Sequence, residues 1–74
     1  MKMQRITLPI DRLSGGGAYI VEHALARTPG VVYVYVNSAM EMAYIVYDPT
    51  QSDLHRLVAA VKHAGFEAGT PGIR

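Results

Sequence analysis

The sequence predicts an α+β fold in which two helices cover one face of a four-stranded antiparallel sheet. Three observations carry this. Strand and helix signals follow one another in the order βαββαβ, each helical segment has a single apolar stripe, and the strand segments alternate inward and outward residues. Both stripes and the inward strand residues can be buried together only if the two helices share one sheet face.

The segment from Gln4 to Ile10 sets Ile6, Leu8 and Ile10 against Arg5, Thr7 and Pro9, the period of a half-buried strand. Pro9 has no backbone donor and suits a sheet edge or a strand end. From Asp11 to Gly17 the chain is loop, because three consecutive glycines do not continue regular structure cheaply. A helix is expected from Ala18 to Arg27, with Ala18, Val21, Ala24, Leu25 and Thr28 as its inward stripe and Pro29-Gly30 as its stop. Val31 to Asn37 is β-branched and aromatic, with Val34 and Val36 on one face and Tyr33 and Tyr35 on the other. After a short connection, Met42 to Tyr47 forms the next strand, with Ala43, Ile45 and Tyr47 alternating with Tyr44 and Val46. Ser52 or Asp53 caps a second helix that runs to Ala64 on the stripe Leu54, Leu57, Val58 and Val61, and Gly65 supplies its left-handed stop. Phe66 to Ala68 is expected as a short closing strand. The result is a ferredoxin-like βαββαβ sandwich with Val21, Leu25, Val34, Val36, Ile45, Leu57, Val58 and Val61 in its core.

The bulk properties narrow the function classes. Seventy-four residues make one domain, 1–74, with half of them hydrophobic and 18% charged, as in a folded globular chain. There is no cysteine, hence no disulfide and no thiolate ligand. A formal charge of +1 with scattered Lys and Arg argues against nucleic acid as a partner. No apolar run approaches the ~20 residues of a membrane span, and no signal peptide is recognisable, so membrane contact is not expected and a cytoplasmic location is. Nothing in the chain assembles a Ser/His/Asp set, a carboxylate pair or a cofactor fingerprint, so neither an enzyme nor a cofactor is expected.

Several short segments together resemble a known family, the heavy-metal-associated domain of copper chaperones and metal-transporting P-type ATPases. They are Val21-Glu22-His23-Ala24-Leu25, Pro29-Gly30-Val31, Val34-Tyr35-Val36-Asn37, Ala43 through Tyr47-Asp48-Pro49, Leu57 through Val61, and Ala64-Gly65-Phe66. The resemblance covers nearly the whole chain in order and spacing, and it implies a role in metal transport and homeostasis, with copper as the expected metal. The family carries its soft metal on a Met-x-Cys-x-x-Cys loop between the first strand and the first helix. Here the corresponding stretch is Leu13-Ser14-Gly15-Gly16-Gly17-Ala18. Counting back from Val21 puts the cysteine positions on Ser14 and Gly17; counting forward from Ile10 puts them on Gly15 and Ala18, with Leu13 on the methionine. Neither register contains sulfur, and a serine hydroxyl is a hard, poor ligand for a soft ion. The family's metal site is therefore carried over to no residue, and Leu13, Ser14, Gly15, Gly16 and Gly17 read as a degenerate metal loop.

Other donors do not fill the gap. His23 should face outward, and His55 and His63 lie eight residues apart rather than the four of a helical metal pair. Met40 with Met42, or together with Met1 and Met3, could offer thioethers to Cu(I). Strand alternation instead assigns Met40 to the turn and Met42 to outer-face packing. The glycine run fits neither G-x-G-x-x-G nor a P-loop. Tyr33, Tyr35 and Tyr44 should share the sheet face left open by the helices, where β-propensity or a dimer contact accounts for them. Tyr19 and Ile20 stand near the glycine loop at positions where the family usually shows polar residues, which marks them as an interaction surface. Alternatively, one of them folds back over the glycines. The expected function is thus an interaction or regulatory module of metal-ion homeostasis. It would bind a protein partner or a second copy of itself through residues 13–17 and the first helix. Two alternatives stand beside it: a soft-metal carrier in altered form, with cysteine replaced by Ser14, and a small-anion-binding ferredoxin-like domain.

Overall fold

A computed structural model describes residues 2–73. The elements are β1 (Gln4–Pro9), α1 (Gly17–Ala26), β2 (Val31–Asn37), β3 (Met42–Tyr47), α2 (Leu54–His63) and β4 (Gly72–Ile73), and the sheet order is β2-β3-β1-β4. All pairings are antiparallel, with Ile6 opposite Ile45 and Val34 opposite Ile45 on its other side.

One core joins the inward residues of a single sheet face, Ile6, Leu8, Val36, Ala43, Ile45 and Tyr47, to Val21 and Leu25 of α1 and Leu57 and Val61 of α2. Val34 and Val58, expected within it, are half-buried and pack against it. No helix among the described residues is long and apolar enough to cross a membrane.

The helix ends show how local chemistry sets the boundaries. Asp53 caps α2 by accepting a hydrogen bond from the Arg56 N–H at 2.9 Å. The chain leaves α2 through Gly65 at φ +94°, with the Phe66 N–H bonded back to the Val61 carbonyl at 3.1 Å. By contrast, α1 begins at Gly16 with no side-chain cap.

The structure corrects the expected fourth strand. Three full strands make the sheet, and its fourth place is held by only two residues, Gly72 and Ile73, paired with Thr7 and Ile6. Phe66 to Ala68 is not a strand. Ala68 makes one isolated bridge to Ile10, while Phe66 turns toward the start of α1 and meets Gly17. The Phe66 N–H is bonded to the Val61 carbonyl in the close of α2, so the segment is still leaving the helix where the strand was expected to begin. The placement of β4 also makes β1 an interior strand, and Pro9 is tolerated as its last residue.

A second departure lies in β2. Val31 pairs with Tyr47 and Tyr33 with Val46, so Val32 is an extra residue in the ladder and stands exposed.

At the turn after β3, buried Asp48 accepts hydrogen bonds from the Thr50 hydroxyl at 2.7 Å and the Thr50 N–H at 2.9 Å. These bonds, the hydroxyl first, hold its carboxyl below the ordinary 3.8. Because the folded value is depressed, the carboxylate stabilises the fold above that ordinary value, and the contribution disappears as the pH falls through the folded one. Thr50→Val should therefore move the acid-unfolding midpoint to higher pH, read by circular dichroism from about pH 5 down to about pH 2. An unmoved midpoint would show that the turn does not govern acid stability.

Candidate functional site: the loop entering the first helix

Between β1 and α1 the chain passes through residues 10–16, and its shape is set by two contacts from distant parts of the sequence. The first is Leu13, whose side chain is fully buried in the core cluster. Leu13 therefore belongs to the interior and not to the exposed loop surface expected for it. The second is Glu41, from the β2–β3 hairpin. Its backbone carbonyl accepts from the Ile10 N–H at 2.9 Å, and its carboxylate Oε2 accepts from the N–H groups of Arg12 at 2.9 Å and Leu13 at 3.3 Å. Both Glu41 and Arg12 adopt positive φ, +51° and +61°, to make this clamp. A carboxylate on two backbone donors is a charge-assisted pair and fixes the entry to the loop.

Ser14, Gly15 and Gly16 form the exposed turn that follows. Gly15 has φ +71°, a conformation that disfavours any side chain. Nothing lies within 4 Å of where a Cβ would stand on Gly15 or Gly16, so both are open to solvent. Gly17 differs. A Cβ there would stand 3.0 Å from Cε2 of Phe66, so the ring occupies the space next to the first helical residue. The gap left by the missing side chain is filled from α2's exit, and Tyr19 and Ile20 do not fold back over it.

Those two residues face outward. Tyr19 is 74% exposed and stacks on His23 one turn along, with ring centroids 6.0 Å apart, and Ile20 is 48% exposed. The apolar pair thus borders the glycine turn on the same end of the domain.

The side chains in this region do not fit a soft metal. They offer one exposed serine hydroxyl, glycines and a buried leucine. Among the described residues no three His, Cys, Asp or Glu side chains gather into a metal-holding group. His55 and His63 are exposed on α2. Met40 lies exposed in the hairpin turn, where its N–H bonds to Asn37 Oδ1 at 3.1 Å, and Met42 is half-buried on the outer sheet face beside Pro9. Met3 precedes the opposite end of β1, and Met1 lies outside the described residues. Among the described residues, Met3, Met40 and Met42 are not brought together.

Outward residues of the sheet form rows across the open face, Tyr33–Val46–Arg5 and Tyr35–Tyr44–Thr7. The rings of Tyr35 and Tyr44 stack at 6.0 Å.

No protein-family model matches the chain. It is similar to the N-terminal domain of PacS from Synechocystis PCC6803, with 30% identity over 96% of this chain and 97% of that one and a TM-score of 0.79. It belongs to the heavy-metal-associated domain family. The same fold, at 23% identity and a TM-score of 0.90, is found in the N-terminal domain of a potential copper-translocating P-type ATPase from Bacillus subtilis in its Cu(I)-loaded state, over 99% of this chain and 92% of that one. A copper-exporting P-type ATPase of Staphylococcus haemolyticus is 35% identical over 48 residues, which is 65% of this chain and 6% of the ATPase. This heavy-metal-associated domain therefore spans only a small fraction of that transporter's length.

Proposed function

We propose that this heavy-metal-associated domain works through protein contact rather than thiolate metal transfer, as an interaction and regulatory module of copper or related metal homeostasis on the cytoplasmic side. The observation that supports this reading is the exposed Tyr19–Ile20 pair beside a loop that Glu41 and Leu13 hold in shape. A pre-shaped loop loses little further entropy on docking, and an exposed aromatic residue concentrates binding energy. The partner class that fits is the soluble metal-binding domain of a copper-exporting P-type ATPase, the kind of protein to which the chain is related. Binding, not catalysis, is the activity, and the degenerate turn 14–17 forms part of the contact.

The test is a titration of the isotope-labelled domain with such an ATPase domain, followed by NMR. Shifts should concentrate at residues 14–20, and Tyr19→Ala combined with Ile20→Ser should weaken binding by about tenfold or more while circular dichroism stays unchanged. Equal affinity for the double variant, or shifts confined to another face, would overturn this reading.

A further inference from the structure

We propose that the free edge of β2 pairs antiparallel with β2 of a second copy, joining two domains into one continuous sheet. Among the described residues β2 is an end strand that pairs with β3 alone, so beyond Val31, whose N–H is taken by the Thr28 carbonyl, every second residue along its outer side presents an unpaired N–H and C=O. Sheet edges are ordinarily protected by charge, proline or brevity. This one has seven residues, Val31–Asn37, with no charged residue and no proline. The bulge at Val32 disturbs only its beginning and leaves Tyr33–Asn37 in regular ladder with β3.

The occupant is identified by the strand's self-complementarity. Residues 32–36 read Val-Tyr-Val-Tyr-Val, the same in both directions. A two-fold axis at Val34 sets Tyr33 against the partner's Tyr35 on the open face and Val34 against the partner's Val34 on the helix-covered face. An axis at Tyr35 keeps the same match of faces. Neither register brings like charges together. Exposed Val32, Tyr33 and Tyr35 border this edge, so pairing also removes aromatic and aliphatic surface from water.

Sedimentation equilibrium over a concentration series tests the idea, together with amide exchange along β2. The wild-type chain should show a reversible monomer–dimer equilibrium, with slower exchange at Val34 and Val36 as concentration rises. Tyr35→Lys, an exposed position, sets two added charges close together across either register and should shift the equilibrium toward monomer by at least tenfold. The Tyr19→Ala, Ile20→Ser variant should dimerise like the wild type, which separates this surface from the partner-binding loop. A chain that stays monomeric at millimolar concentration overturns the proposal. So does a dimer that survives Tyr35→Lys, or β2 exchange that slows only when an unrelated protein is added.

Discussion

Replacing Leu13 by alanine is expected to destabilise the domain by about 2–5 kcal/mol, the cost of a large-to-small change in a packed core. Ser14→Ala, one residue on, should stay within about 0.5 kcal/mol, as for an ordinary exposed position. The contrast arises because Leu13 is fully buried in the core while Ser14 is exposed in the turn. In a domain of this size such a loss is a large share of the total stability, which for native proteins is only about 5–15 kcal/mol. Urea unfolding of the two variants side by side reads the difference. A Leu13→Ala cost below about 1 kcal/mol would mean that the cavity closes by relaxation and that the loop is not anchored there.

The second large effect is a gain. Ser14→Cys combined with Gly17→Cys should convert a chain expected to surrender Cu(I) to a strong chelator into one that retains it stoichiometrically. Two thiolates at a helix N-terminus are matched to a soft ion, and the helix dipole favours their ionised form. The added Cβ at position 17 meets the ring edge of Phe66 at 3.0 and 3.1 Å, which a modest ring shift relieves, and stands in ordinary contact with the Arg12 carbonyl at 3.5 Å. The other sequence register, Gly15→Cys with Ala18→Cys, should perform worse, because φ +71° at residue 15 costs a non-glycine residue roughly 1–3 kcal/mol. If the 14/17 pair fails to hold copper while remaining folded, the loop's shape rather than its missing sulfur excludes the metal, and the carrier reading fails with it. If the wild-type chain itself keeps copper, a methionine or histidine site has been overlooked.

The two experiments probe different consequences of one arrangement. Glu41 and Leu13 give the loop its shape without reference to a ligand. A domain without thiolates can keep that shape for docking, which is what the Tyr19 and Ile20 variants test.

By itself the sequence determined the two helices, the three full strands and which of their faces turn inward, because each is written in a local period that burial enforces. Ile6 and Leu8, Ala43 and Ile45, and Val21 and Leu25 sit inside for that reason. The capping of α2 by Asp53 and its stop at Gly65 are equally local, set by side-chain acceptors and backbone sterics within a few residues. The tertiary structure alone decided the rest. Leu13 is one apolar residue between Arg12 and Ser14, with no period to reveal that it is core. Glu41 lies 28 residues from the Leu13 amide that it holds, a distance no local pattern spans. β4 is two residues long and exists only because the chain returns to the free side of β1, while Phe66, which lies in the expected strand, is taken up against Gly17. Val32 leaves the alternation because β2 carries one residue more than β3 can pair. In each case the deciding interaction is long-range, and its energy depends on where two distant segments meet rather than on what either one prefers alone.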